Sequence, residues 1–320
     1  MIIAEMSGNH NQSIDDAKSL IVYAANSGAD AIKIQIFTPD SMTLDLDLPQ
    51  FMAGEPWNEK LHGLYKQTAM PYEWIPELQK VAGQFGIELF PSVFSLGSLA
   101  MAESVNMPRY KIASFEINDL VLIDAVAETK KPIIISTGTA AEQEIREAIH
   151  TVQRHHNDIT LLKCTSKYPA SLGELNLATI QDMQVRYGCK IGFSDHTKGV
   201  FAAPLAVAMG AEVVEKHICL HNNGPDGGFS LTPPQFSSMV ELIKRAVTCI
   251  GNVSYDTPKA YRRAMVAIEP IIKGEATKWK MKSLRSTIAG TMTPELTATR
   301  NYSIGDLIKG NQNESVLREL

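Results

Sequence analysis

Eight short apolar, β-branched runs alternate with eight segments of helical period, and that count limits the fold more than any other feature of the chain. The runs fall at 2–6, 31–37, 87–93, 109–114, 132–137, 158–165, 190–196 and 213–218. Predicted helices lie between and after them, near 15–27, 72–85, 95–105, 119–129, 140–154, 176–187, 199–209 and 233–250. Strict strand–helix alternation implies a parallel sheet, and eight strands close a barrel. The expected class is therefore α/β, a (β/α)8 TIM barrel, with a doubly wound open sheet as the rival. Two helix starts carry their own signals. Thr139 to Glu142 has the spacing of a capping box, and Thr232 before Pro233 sets a cap ahead of a first-turn proline. The last helix presents Phe236, Met239, Val240, Ile243, Val247 and Ile250 on one face before Gly251.

Residues 38–71 read as a long connection without an obvious barrel element, on the side of a barrel where long loops are usually functional. After Gly251 the pattern changes. Residues 1–251 are the expected barrel, 252–264 a linker, and 265–320 a small β module with a polar tail.

Composition narrows the function by exclusion. A net charge of −5 argues against a dedicated nucleic-acid binder, so any cationic site must be local. Cys164, Cys189, Cys219 and Cys249 form no C-x-x-C pair and read as reduced, half-buried thiols rather than a zinc site. No leader or membrane-spanning apolar run is visible, which makes the cytoplasm the expected location. Neither a nucleophile elbow nor a Gly-rich dinucleotide loop is present.

What ends each strand is informative. Glu5, Lys33 with Gln35, Ser92, Lys111 with Ser114 and Glu116, Ser136, Ser166 with Tyr168, Ser194 with Asp195 and His196, and His217 all cluster there. Charges pointing into a barrel cost several kcal/mol each unless paired or bound to a ligand. Lys33 and Lys111 have a structural alternative, pairing with Glu5 and Glu116, and each serine alone could satisfy strand-end backbone. His196 and His217 end consecutive strands, so they are spatial neighbours and candidate metal ligands; His10 in SGNHN is a candidate supporting residue. His150, His155 and His156 read as solvated. Together the set suits a small polyanion, a divalent metal and a polyol.

The segments AEMSGNHN, GADAIKIQ, YKIASFE, ISTGTA, LLKCTSKYP, GFSDHT and EKHICL, in that order, resemble the sialic acid synthase family, and within it the pseudaminic acid branch. The resemblance covers about 1–250 closely and the tail weakly. It implies a barrel with a C-terminal antifreeze-like (SAF) domain, and a homodimer in which each small domain caps the partner's barrel. It implies condensation of phosphoenolpyruvate with an N-acylated amino sugar. Phosphoenolpyruvate would be held by Lys33, Lys111, Ser114, Ser136, Ser166 and Ser194. The sugar would lie against Glu5, Gln35, Tyr168, Asp226 and Arg285, and His196 with His217 would bind Mn²⁺, or Mg²⁺ or Co²⁺ in its place. Glu116 would stabilise the charge developing at C2 or orient the attacking water, with Glu5 and Lys111 as its catalytic companions. The chain departs from the family in three respects. It starts at the first strand, where relatives carry preceding residues that plug the barrel floor, so something else is expected to cover it; Ser286 follows Arg285 where relatives have proline; and the stretch from Arg285 onward is short. A Schiff-base aldolase using a barrel lysine, and a non-catalytic sugar- or phosphate-binding barrel, are the competing functions.

Overall fold

Side-chain alternation along the strands builds both the core and the site. The strands are β1 (Ile2–Glu5), β2 (Ala31–Ile36), β3 (Glu88–Val93), β4 (Tyr110–Ile112), β5 (Ile133–Ser136), β6 (Ile159–Cys164), β7 (Lys190–Asp195) and β8 (Val213–His217). Each pairs in parallel with the next, and β8 returns to β1, closing the barrel. The computed structural model describes residues 1–222, 224–255, 262–277, 279–286, 297–298 and 300–307.

The helices that follow the strands are α1 (Ile14–Asn26), α2 (Pro39–Met42), α3 (Leu61–Thr68), α4 (Ile75–Gln84), α5 (Leu96–Ser104), α6 (Leu120–Glu128), α7 (Glu142–Gln153), α8 (Thr179–Tyr187), α9 (Ala202–Ala208) and α10 (Pro233–Ile250). Their apolar faces pack on the outward strand residues, among them Ile32, Ile34, Tyr110, Ile135, Phe193 and Val214. Successive strand side chains point to opposite faces, so the residues between these point inward. Ile3, Ala31, Phe90, Ile134, Leu162 and Val213 form a separate inner cluster with Met1 packed against it. These residues fill the barrel floor, which the sequence left without an assigned cover.

Two residues further along the same strands stand Glu5, Lys33, Ser92, Ser136, Cys164 and Glu215, all buried. Register adds Lys111, opposite Ser92, and Ser194, opposite both Cys164 and Glu215. One step of the pleat thus converts an apolar floor into a polar ring.

Three local expectations need correction. Residues 38–71 contain α2 and α3; Leu64 and Thr68 of α3 are buried at i, i+4 spacing, a period too short to stand out in the sequence. The N-cap of α7 is Ala141, whose N–H donates to the Glu144 carboxylate at 2.7 Å, because the Thr139 hydroxyl is committed to the Ser114 carbonyl at 2.7 Å. In α10 the buried stripe stops at Ile243, and Val247 and Ile250 are exposed. Thr232 does cap that helix, its N–H donating to Gln235 Oε1 at 2.9 Å.

The chain divides into two compact units, Met1–Gly251 and Asn252–Leu320. In the second, β9 (Arg263–Ala267) pairs antiparallel with β10 (Met281–Arg285) over a small core of Ala267, Ile271, Met281, Ala298 and Tyr302. Much of the expected linker, and the polar tail from 308 on, lie outside the described residues. Among the described residues, no helix is long and apolar enough to cross a membrane.

Candidate active site

A cavity of about 1060 Å³ opens at the C-terminal ends of the strands, and it collects the barrel residues singled out from the sequence as site candidates, Asp195 and His10 excepted. At its base Lys33 Nζ lies 3.1 Å from Glu5 Oε2 and 3.2 Å from Glu215 Oε2, and donates to Ser92 Oγ at 3.0 Å. Burial alone would lower the Lys33 pKa, but Glu215 and Glu5 outweigh it and keep the ammonium charged. Gln35 Nε2 donates to the other oxygen of Glu5 at 2.8 Å and to Ser7 Oγ at 3.2 Å. Glu215, itself accepting from Ser194 Oγ at 3.2 Å, was missed by the sequence reading. The signal was available: Glu215 is two residues before His217, hence on the same face of the strand.

Lys111 has different surroundings. Its Nζ donates to Ser136 Oγ at 2.6 Å and to the Ile112 carbonyl at 3.0 Å. Burial lowers its pKa to about 8, with Glu215 opposing the shift and Lys33 adding to it. Beside it the Gly138 N–H donates to Ser114 Oγ at 3.0 Å. A Cβ on Gly138 would stand 2.3 Å from Ser166 Oγ, 2.9 Å from Ser114 Oγ and 3.0 Å from Cys164 Sγ. Hydroxyls from two loops therefore converge on a space that only glycine leaves open. Lys111, Ser114, Ser136 and Ser166 make a cradle of donors around Gly138 suited to an anion. Gly138 sat unremarked in ISTGTA, because a glycine in a turn has many reasons to exist.

Glu116 follows β4 on the same rim. It is half-buried with Oε2 unpartnered, and burial raises its pKa to about 7 although Lys111 pulls it back. A carboxyl that titrates near neutrality can take up or release a proton within a reaction cycle.

His196 and His217 stand with ring centroids 5.5 Å apart and planes inclined by 72°. His196 Nδ1 is 3.0 Å from the Thr165 carbonyl, so in the tautomer that donates there Nε2 keeps its lone pair. His217 Nδ1 lies 3.4 Å from Asp226 Oδ2 and has no hydrogen bond of its own. His196 is thus held from its Nδ1 side by a hydrogen bond, the arrangement that metal-ligating histidines use, and His217 turns the same side toward a carboxylate. The residues present fit a divalent ion. Tyr168 covers this pair, its ring 4.2 Å from His196, and Trp57 lies 5.6 Å beyond it with Nε1 donating to the Pro225 carbonyl at 3.0 Å. Trp57 belongs to the long connection after β2, whose functional residues the sequence did not single out.

Other candidates lie elsewhere. Arg285 belongs to the second unit, where it is exposed at the end of β10 opposite Arg263. His10 is fully buried, its Nε2 3.2 Å from the Thr68 carbonyl and its ring edge-on to Trp74, so it anchors the first loop. His155 and His156 are half-buried rather than solvated, His155 Nε2 lying 2.7 Å from Asp124 Oδ1. Asp124, Glu128 and His155 are close enough together to offer three ligand atoms, but Asp124 already pairs with Arg154 at 2.9 Å. Asp195, expected with the inward group, instead faces outward, because Ser194 and His196 on either side take the inner face. It pairs with Lys216 at 3.0 Å, and both side chains are fully buried. All four cysteines are free thiols, with Cys164 and Cys219 fully buried and Cys249 exposed.

Residues 20–255 match the NeuB family. The pseudaminic acid synthase of Helicobacter pylori is 40% identical over 300 residues, 90% of this chain and 88% of its own length. A pseudaminic acid synthase of Campylobacter jejuni is 35% identical over 96% of this chain and 95% of its own. Among solved structures, the N-acetylneuraminic acid synthetase of Leptospira borgpetersenii is similar with a TM-score of 0.73 at 29% identity, over 80% of this chain and 87% of that one. Sequence and fold agree over the whole barrel, and the chain belongs to the NeuB family.

Proposed function

We propose that the chain condenses phosphoenolpyruvate with the open-chain aldehyde of an N-acylated amino sugar, releasing phosphate and a nonulosonic acid. The observation that carries this reading is one cavity holding three chemically distinct parts: an anion cradle, a carboxyl titrating near neutrality, and an oriented imidazole pair. For the sugar we propose the 2,4-diacetamido-2,4,6-trideoxy-altrose type, giving pseudaminic acid. The wall contributed by residues 42–65, with Met42, Met52, Trp57, Leu61, Leu64 and Tyr65, supports a substrate whose far end is deoxygenated and acylated.

In this reading Lys111, Ser114, Ser136 and Ser166 hold phosphoenolpyruvate, with Lys33 and Ser194 at the base. Lys33 is already balanced by Glu5 and Glu215, so Lys111 supplies the uncommitted positive charge. Gln35, Glu5, Tyr168 and Asp226 meet the sugar's hydroxyls and amide. His196 and His217 would hold a divalent ion, Mn²⁺ in preference to Mg²⁺ or Co²⁺, which would supply Lewis-acid polarisation of the aldehyde. C3 of phosphoenolpyruvate forms the new bond to the aldehyde carbon, and positive charge develops at C2. Water adds at C2, with Glu116 receiving one of its protons and returning it to the alkoxide left at the former aldehyde oxygen, while the other leaves with phosphate. The tetrahedral intermediate then breaks its C2–O bond to phosphate, leaving the ketone. For Arg285 we propose a role in a homodimer in which the C-terminal, antifreeze-like unit of one protomer serves the barrel of its partner. We propose the cytoplasm as the site of action, where phosphoenolpyruvate is available.

Lys111 gives this reading a pH signature. Anion binding needs the ammonium, so phosphoenolpyruvate affinity should hold below pH ~8 and fall above it as the free enzyme loses that proton. Calorimetry should show roughly tenfold weaker binding one unit above that value. The Lys111→Met variant should bind about ten- to hundredfold more weakly at neutral pH, the worth of one charge-assisted hydrogen bond, and lose most of the pH dependence. A variant matching the native affinity would refute the placement.

The function itself is tested by phosphate release with Mn²⁺, phosphoenolpyruvate and each of three sugars: the trideoxy-altrose, N-acetylmannosamine and the legionaminic acid precursor. The expected order puts the trideoxy sugar first in kcat/KM. Another sugar in first place reassigns the substrate, and no phosphate from any of them leaves a binding protein.

A further inference from the structure

The buried Asp195–Lys216 pair lies outside the cavity, so the proposed chemistry has no direct use for it. It joins the two strands that end in the imidazole pair. Asp195 and Lys216 are register partners across β7 and β8, each immediately before one of the two histidines. Thr197 donates to Asp195 Oδ1 through its N–H at 2.8 Å and its hydroxyl at 2.7 Å, and Lys216 Nζ donates to the Thr197 carbonyl. His196 is thereby bracketed by two residues tied to the lysine that precedes His217. Other bonds hold the outer sides: Ala170 N–H donates to the His196 carbonyl at 3.0 Å, and Leu231 N–H to the His217 carbonyl at 2.9 Å.

Two features separate this arrangement from ordinary core packing. A buried ion pair is seldom more stabilising than apolar residues of the same volume, so stability alone does not account for it. It is also directional, fixing backbone at the one place where two strand ends must present side chains at a set separation. We propose that Asp195 and Lys216, with Thr197, are positioning residues that set the spacing of His196 and His217 for a shared divalent ion. This inference rests on the metal reading above.

The test measures Mn²⁺ binding to the metal-stripped full chain by calorimetry, with melting temperature and metal-free phosphoenolpyruvate binding recorded in parallel. Lys216→Met should raise the Mn²⁺ dissociation constant about tenfold or more, as removal of supporting groups does at metal sites. The paired Asp195→Asn/Lys216→Met variant, free of a lone buried charge, should do the same even where the single variant fails to fold. Thr197→Val, which keeps the ion pair, should cost about threefold, a fraction of that loss. Phosphoenolpyruvate affinity should stay within about threefold throughout, because its ligands other than Ser194 lie on other strands. Melting temperatures that fall while Mn²⁺ affinity stays native would overturn the proposal and leave a purely structural pair. A native chain that binds no Mn²⁺ would overturn the metal reading and this inference with it.

Discussion

Turnover is expected to fall by at least about a thousandfold when His217 is replaced by alanine, and Mn²⁺ binding measured by calorimetry should be lost with it. Lewis-acid polarisation of a carbonyl supplies several kcal/mol of transition-state stabilisation, and about 1.4 kcal/mol corresponds to a factor of ten in rate. His217 contributes one of two imidazoles, so one substitution removes half of the protein's offered ligands. Chelation should reproduce the loss in the native protein and added Mn²⁺ should reverse it. The substituted protein should stay inactive at any metal concentration that restores the native one. Full turnover in His217→Ala, or after exhaustive chelation, would leave the metal without a role.

The second large effect is expected at Gly138. A methyl group there would stand 2.3 Å from Ser166 Oγ and 2.9 Å from Ser114 Oγ, so both hydroxyls must turn away or the loop must shift. Either response dismantles the cradle. Loss of two hydrogen bonds to a charged ligand, each worth roughly 1.5–3 kcal/mol, should weaken phosphoenolpyruvate binding by about a hundredfold or more in Gly138→Ala. Mn²⁺ affinity should change little, since His196 is held from the Thr165 carbonyl and His217 lies beside Asp226. An affinity for phosphoenolpyruvate within about threefold of native would show that the anion binds elsewhere.

The barrel was legible because period-2 and period-3.6 patterns are long-range and redundant: one misread residue does not change an alternation of eight units. The candidate ligands were legible for a related reason. A lysine or histidine inside an apolar strand, as with Lys33 in AIKIQI or His217 in VVEKH, violates the pattern and draws attention to itself. What escaped was whatever looked ordinary. Glu215 and Lys216 sit side by side in one strand, and only the pleat decides that one faces the cavity and the other the helix layer. Gly138 matters through the space it leaves, which no residue type announces. Trp57 comes from a connection without strong periodicity, and its position depends on a hydrogen bond to Pro225, 168 residues away in the chain. Asp195 was placed inward because its neighbours were, an inference that alternation itself forbids. The Thr139 box failed because a tertiary partner, the Ser114 carbonyl, claimed its hydroxyl.

The fate of one oxygen atom tests the central claim most directly. Phosphoenolpyruvate carrying ¹⁸O at the bridge between C2 and phosphorus is turned over with the trideoxy sugar and Mn²⁺, and both products are weighed by mass spectrometry. Condensation with water attack at C2 and C–O cleavage places the label in inorganic phosphate, with solvent oxygen at C2 of the nine-carbon acid. Label retained in the organic product would mean cleavage at phosphorus, and would contradict the roles proposed for Glu116 and the Lys111 cradle.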